Sequence, residues 1–506
     1  MTVPLSPTRK ALPAISVRVA LKSSCAVNVC GPGAIGRTTW ETDARDETTL
    51  FEYDNFDRLT INTLPGGAKV QRHYADHSSE DLPTKISVDG VVLGEQSWNG
   101  LGLLTDSTTG GRTQYFTYKP GQTQPATKTN ARNQVIEFEY VSQLTDEPSV
   151  RRLPGKTPAT YQRDGKNARL LSCVEDGLEL KRQYFSTGEV KSEERVQGNQ
   201  SWVMHYDFSR QGLLRSYTDV LKQTQTFDYK KNSNQLLGTV LGTTSSNFTY
   251  DSLGQTQTIS TQDSGSNQYV TISLHYDGLG REIKRQFDLN GVIQVLTQVY
   301  NKVDALVERT LTEGPNQTLL RKETYDYDPR GRLVLYQCEG TQPPVDPYGK
   351  AIISQLFKFD ALDNITRVQT TSSEGVNTAV YTYDTLDPVQ LSKVTNSGVP
   401  GYPPEIRLSY DADGHMKVDE EGRNLEYDEV GRLKSVSALP GEAPSYYGYN
   451  PLDTLAVHDN GSVKVQRFYQ GDELANLVED NDNNNTFVRG AGVLLAEHQE
   501  GAGKKP

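Results

Sequence analysis

The sequence predicts an all-β protein, built as a ribbon of β-hairpins one sheet thick. Three observations predict it. A turn motif recurs along most of the 506 residues. Short, alternating strand-like runs separate the turns, with no helical period. The composition is too polar for a solid core yet rich in tyrosine.

The clearest copies of the motif are Tyr276-Asp277-Gly278-Leu279-Gly280-Arg281, Tyr327-Asp328-Pro329-Arg330-Gly331-Arg332 and Tyr427-Asp428-Glu429-Val430-Gly431-Arg432. Near copies are Tyr53-Asp54-Asn55-Phe56-Asp57-Arg58 and Tyr250-Asp251-Ser252-Leu253-Gly254-Gln255. Weaker ones begin at Tyr206, Phe359, Tyr383, Tyr410 (with Asp411 and Gly414) and Tyr449. From Tyr327 on, the copies follow one another at roughly 17 to 32 residues, a period that signals a repeat architecture. Each position has a physical reason. Tyr closes a strand, because aromatic rings suit a half-buried pleated surface. Asp bonds backbone N–H groups two residues on. Gly sits where a type I turn favours it or where a bulge needs positive φ. Arg pairs with a carboxylate or stacks on a neighbouring Tyr. The next apolar residue restarts a strand.

Between the turns the runs Val135 to Tyr140, Leu178 to Tyr184, Val203 to Tyr206, Val292 to Tyr300 and Ala351 to Phe359 read as strands. Proline-rich loops interrupt at 342–347 and 399–404. Gly490 to His498 reads equally well as a short helix or a strand. Apolar residues make up 35% of the chain, below the roughly 45–50% usual in globular proteins, Gly included. Tyr outnumbers Phe by 27 to 13. A wall wet on both faces suits both figures, since a Tyr ring packs while its hydroxyl reaches water or a partner.

The net charge of −12 argues against a nucleic-acid partner, which calls for a basic stripe. No run of about 18 apolar residues marks a transmembrane helix. Cys25, Cys30, Cys173 and Cys338 are too scattered for a disulfide scaffold. Gly31-Pro32-Gly33-Ala34-Ile35-Gly36 matches a dinucleotide-binding fingerprint, but strand-like residues and a Tyr-Asp turn follow where the crossover helix belongs, so it reads as a glycine-rich turn. The run at 480–485 lacks the Gly and Glu of a calcium loop and reads as a hairpin tip. The seven histidines are dispersed, and no nucleophile elbow or zinc motif is present. The expectation is a protein that is not an enzyme and has no cofactor, metal or catalytic residue.

The Tyr-Asp motif resembles the YD repeat of RHS proteins. These include the shell-forming B and C components of bacterial Tc (toxin complex) insecticidal toxins, polymorphic toxins and the teneurin shell. Trp98-Asn99-Gly100-Leu101-Gly102-Leu103 is similar to a decayed copy, and Phe468-Tyr469-Gln470-Gly471-Asp472-Glu473 resembles a segment found in the same group. The resemblance implies that the ribbon spirals into a hollow shell, a partial β-cocoon. It implies a partner that is another toxin-complex or RHS shell component, a toxin cargo polypeptide, or both. It also implies secretion without a recognisable signal peptide, after a cytoplasmic stage. The alternative is an extracellular module that binds carbohydrate or another cell surface. The expected organisation is a poorly ordered basic arm over 1–36, a YD-repeat shell over 37–500 and a disordered tail over 501–506. Neither Asp328-Pro329 nor Asp346-Pro347 has the context of the family's self-cleavage site, and the family's core and effector are expected to be absent. The final hairpins, from about Tyr449 to Glu497, are then expected to expose uncovered strand edges.

Overall fold

The computed structural model describes residues 29–32, 36–480 and 483–500. Most of the expected basic arm, Cys25, the tail over 501–506 and the centre of the Asn-rich tip lie outside them.

The described residues contain strands and turns and no helix. Thirty-three strands, from Val29–Pro32 to Glu405–Arg407, form one sheet. Each strand pairs antiparallel with its neighbour in sequence, as Gln268–Tyr276 pairs with Glu282–Leu289 and that with Val292–Tyr300. A two-stranded step, Ser409–Tyr410 with Met416–Val418, leads to an eight-stranded sheet from Leu425–Tyr427 to Val493–Glu500. Twisted open sheets rarely exceed about 10 strands without curling, so a 33-stranded meander has to bend round on itself.

It does so as a spiral. Hydrogen bonds join residues 254 to 302 positions apart in sequence, which sets the length of one winding. Arg45 reaches the Asp328 turn, Arg112 reaches Asp387, and Arg195 reaches Arg467. Turns alternate between two edges of the ribbon. The Tyr-Asp turns lie on one, here called the motif edge. The intervening turns, such as 43–47, 64–68 and 130–134, lie on the other, the tip edge. Early in the overlap, the tip edge of the first winding meets the motif edge of the second. Farther on, the second winding slides inward and lies against the strands of the first.

That overlap makes much of the core. Leu170, Cys173, Leu178 and Leu180 pack with Ala456 and Val457. Met204 and Tyr217 pack with Phe468 and Ala475. Leu495 packs on Leu236, Phe248 and Ile259. The faces of the final hairpins are covered: Phe468 is 2%, Asn476 0% and Val488 1% exposed, because the first winding packs on them. Only Asn484–Gly490 pairs with the last strand, Val493–Glu500, among the described strands.

Two local readings are corrected. Gly490 to His498 is a hairpin and not a helix, because Ala491 and Gly492 both hold positive φ (49° and 75°), the form of a two-residue hairpin turn. The strand read from Ala351 starts at Ser354, since Ala351 is drawn into a bridge with Val345 across the proline-rich loop.

Candidate functional site: the motif edge and the seam between windings

The local chemistry of one turn is repeated along the whole edge. In the Tyr276 copy, the Asp277 N–H donates to the Arg281 carbonyl, and the Gly280 N–H donates to the Asp277 carbonyl. Asp277 Oδ1 accepts the N–H groups of Leu279 and Arg281 at 2.9 and 3.0 Å, and Oδ2 accepts Arg281 Nε at 2.7 Å. One carboxylate therefore satisfies two turn N–H groups and a guanidinium. The Asp54–Arg58, Asp328–Arg332 and Asp428–Arg432 turns repeat this. Asp411 does the same with His415 in the Arg place, whereas Asp251 accepts the two turn N–H groups alone and the Gln255 side chain donates to the Gly280 carbonyl. The pairing register slips by one residue at each motif Tyr, as between His275 and Tyr276. Gly254, Gly280, Gly331, Gly414 and Gly431 all hold φ between 79° and 88° to close this bulge.

The Gly331 position has open space around it. Gly331→Val therefore tests backbone conformation alone, and its expected cost is about 1–3 kcal/mol. Gly280→Val is expected to behave alike. An unchanged urea midpoint in both would contradict the turn geometry.

Arg281 holds the Asp277 carboxyl below the usual carboxylate range. Burial raises Asp54 and Asp419, but their Arg58 and Arg423 partners and turn N–H groups outweigh it, so both also sit low. A carboxyl whose folded pKa is depressed contributes stability that is complete above its unfolded value, near 3.8. That contribution falls away as pH drops below this value toward the folded pKa. Acid titration monitored by circular dichroism is expected to show a plateau above about pH 5 and a loss below about pH 4. A transition centred near neutral pH would contradict the role of these turns.

Two features join each turn to the next. The motif Tyr donates its hydroxyl to the carbonyl at the start of an earlier strand: Tyr53 to Thr38, Tyr74 to Leu59, Tyr250 to Leu236, Tyr276 to Thr256, Tyr327 to Leu306, Tyr410 to Leu391 and Tyr449 to Leu433, all at 2.6–3.0 Å. Burial pushes the Tyr74 and Tyr449 hydroxyls up to about 12, so they remain donors. Trp98 Nε1 makes the same bond to Pro83, and Asn99 caps its turn as Asp does. The motif Arg reaches forward. Arg58 stacks on Tyr74, Arg281 on Tyr300, Arg332 on Phe359 and Arg432 on Tyr449. Where Asp replaces Gly in the following turn, it receives that Arg, as in Arg281–Asp304, Arg332–Asp363 and Arg432–Asp453. The result is a run of clasps along the edge, each spanning two hairpins.

The seam closes with arginines from the tip edge. Arg45 donates to the Asp328 and Pro329 carbonyls at 3.2 and 3.1 Å. Arg112 meets Asp387 at 2.6 Å. Arg132 meets Asp413 and the Tyr427 and Asp428 carbonyls. Arg151 bridges Glu175 on its own winding at 2.9 Å and Asp453 on the other at 2.8 Å. Arg432 completes that cluster from the motif edge, at 3.1 Å from Glu175, 2.7 Å from Asp453 and 2.6 Å from Asp428. Burial opposes the charge on Arg151, but Asp453 and Glu175 outweigh it and raise its pKa. Asp411, Asp413 and His415 lie close enough to hold a metal, but the Arg132 guanidinium already sits against them.

The structure thus places the motif residues of Tyr53, Tyr250 and Tyr276 on the first winding's motif edge. Those of Tyr327, Tyr410 and Tyr427 lie on the part of the edge that the tip edge meets. Sequence reasoning missed Arg45, Arg112, Arg132 and Arg151. They occupy the half of each hairpin that carries no motif, and no periodic signal marks them. The glycine-rich match at 31–36 opens as the strand Val29–Pro32, paired antiparallel with Thr38–Thr42, and residues 33–35 lie outside the described residues.

No family model matches the sequence, and no curated protein does. The crystal structure of TcdB2-TccC3-Cdc42 matches over 95% of this chain with a TM-score of 0.58 and 13% identity. The chain has the Tc shell fold. TcdB2-TccC3 without its hypervariable C-terminal region matches at 0.56, also over 95% of the chain. A Tc holotoxin pore of Photorhabdus luminescens matches at 0.54, with 14% identity over 91%. The chain spans 30% of the length of each TcdB2-TccC3 chain and 28% of the holotoxin component. Among its described residues, no helix is long and apolar enough to cross a membrane.

Proposed function

We propose that the chain is part of the wall of a protein shell that encloses, or helps deliver, a toxin polypeptide in a Tc-like or polymorphic toxin system. One observation carries this reading: a hairpin ribbon that winds past itself and seals the overlap with buried ion pairs. A folded enzyme core needs no such seam, whereas a closed wall does. In this reading the chain has no catalytic role, works with a further shell component or a cargo chain, and acts outside the producing cell. The test is co-expression with a candidate effector polypeptide, followed by protease treatment of the purified particle. Protection of the effector, lost when the seam is broken by Arg151→Ala, is the expected result. An effector digested at the same rate with and without the chain would overturn the reading.

A surface-binding role has one observation in its favour. An open cleft of about 890 Å³ lies beside Phe227, Tyr229 and Tyr250, with Asn232, Asn234 and Gln235 on its rim. Rings beside amides suit a sugar. Binding of the purified chain on a glycan array, lost in Tyr229→Ala, would favour this role over the shell.

A further inference from the structure

At the Tyr229 turn the charge of the motif is reversed. Where the clear copies carry Asp, this one carries Lys230, and Gln235 stands in the Arg place. The backbone of the turn is of a kind seen elsewhere in the chain. The Lys230 N–H donates to the Gln235 carbonyl, five residues on, as the Asp164 N–H donates to the Arg169 carbonyl. In the Asp164 turn, Oδ1 accepts the Lys166 N–H at 2.7 Å. The matching group here is the Asn232 N–H, and nothing among the described residues accepts it. Lys230 and Lys231 are exposed and form no ion pair among the described residues. The tyrosine departs from the motif as well. The Tyr184 and Tyr250 hydroxyls donate to the Leu170 and Leu236 carbonyls at 2.7 and 2.8 Å, whereas the Tyr229 hydroxyl donates to no group among the described residues.

These departures meet in one place. Tyr229, Lys230 and Asn232 all line the open cleft of about 890 Å³, which lies within the roughly 300–1,000 Å³ of small-molecule sites. A turn that elsewhere holds its own carboxylate has here lost it and gained a cation. An ammonium beside an unbonded N–H is what a carboxylate from outside needs, and such charge-assisted bonds are about twice as strong as neutral ones. The rest of the lining suits a sugar. The rings of Phe227, Tyr229 and Tyr250 are half-buried, and amide and hydroxyl side chains stand beside them. Asp251, the one carboxylate among the described lining residues, spends Oδ1 on the Leu253 and Gln255 N–H groups, which leaves Oδ2 to accept a hydroxyl. Ala491 closes one side from the second winding. One cation set against one carboxylate is too little charge for a polyanion.

We infer that this cleft binds a sugar that carries a carboxylate, of the uronic or sialic acid class, and that the sugar's carboxylate takes the place of the motif Asp. It accepts the Asn232 N–H and pairs with Lys230. The Tyr229 hydroxyl and Asp251 Oδ2 are left for the sugar's hydroxyls, and its C–H face lies on the rings. The inference rests on the surface-binding reading above and adds to it the chemical class of the ligand and the residues that select it.

The test puts the full-length chain on an array of sialylated and uronic-acid glycans, each printed beside a form whose carboxyl is reduced to the alcohol, together with a hexaglutamate peptide. The expected result is binding to carboxylated glycans that falls by about tenfold or more on reduction, with no binding of the peptide. Lys230→Asp puts back the missing cap. It is expected to abolish glycan binding and to raise the urea midpoint, because Asp at this position satisfies the Asn232 N–H as Asp164 satisfies that of Lys166. A raised midpoint separates lost binding from lost folding. Equal binding of a glycan and its reduced form would overturn the inference and leave the surface-binding reading standing. Binding of hexaglutamate as strong as that of the glycans would assign the cleft to charge alone, and unchanged glycan binding in Lys230→Asp would place the carboxylate elsewhere; each overturns the inference. Silence toward every glycan would end this inference and the surface-binding reading together.

Discussion

Arg151→Ala is expected to destabilise the protein by about 3–5 kcal/mol, the usual result of breaking a buried ion pair from one side. The Arg151 side chain is 8% exposed and Glu175 4%. Removing Arg151 takes one of the two guanidiniums from Glu175 and leaves only Arg432 to offset its desolvation. It also unties Asp453, so the two windings part at the point where the tip edge hands over to the strand faces. The control lies one residue away. Arg152 pairs with Glu139, at 39% and 47% exposure, and an exposed pair is worth about 0–1 kcal/mol. Urea denaturation of Arg151→Ala, Arg152→Ala and wild type is the measurement. Equal midpoints for the two variants would show that the seam does not hold the windings together.

Phe468→Ala is expected to cost a similar amount, about 3–5 kcal/mol, for a different reason. Phe468 is 2% exposed and fills the space between Met204, Tyr217 and Ala475. Its ring lies 5.5 Å from that of Trp202, and the Arg195 guanidinium sits 3.9 Å over its face. Among the described residues Arg195 forms no ion pair. It donates instead to the Arg467 carbonyl and Gln466 Oε1, so the ring face is part of what offsets its burial. Truncation leaves a cavity and removes that face together. Hydrogen exchange should localise the damage. Amides in Leu425–Glu500 and in their cover, Gln200–Thr218, are expected to exchange faster, and those in Gln268–Tyr327 to stay as in wild type. A loss below about 1 kcal/mol, or uniform loss of protection, would mean that the last sheet does not pack on the first winding.

Much of this wall was legible in the sequence. Asp277 and Gly280 announce a turn because few other residues satisfy its N–H groups and its positive φ. The strand from Val292 to Tyr300 was readable end to end because a strand-like run there lies between turn residues. The forward reach of Arg281 was half legible. Its charge called for a carboxylate, but the choice between Asp277 in its own turn and Asp304 in the next needed coordinates, and it takes both. The seam was not legible. Arg132 and Asp413 stand 281 residues apart with no pattern linking them, and whether two windings meet edge to edge or face to face depends on the pitch of the spiral, which no local preference records. The same gap hides the cover over the faces of the final hairpins. Ala475 and Val488 look like ordinary strand residues until the ribbon has come round to cover them.

The distance in sequence across the seam also orders events in time. Each hairpin pairs with the one before it, so the ribbon can be laid down as the chain emerges, from contacts that close short loops. Hydrogen bonds across the seam join residues 254 to 302 positions apart, and loop closure over such spans is slow and waits on the second partner. Until the Asp328 turn exists, Arg45 has nothing to hold, and until the last sheet exists, Met204 and Tyr217 stand in water. The young chain is therefore an open strip with an apolar face along its middle, and it becomes a wall only when its final third arrives.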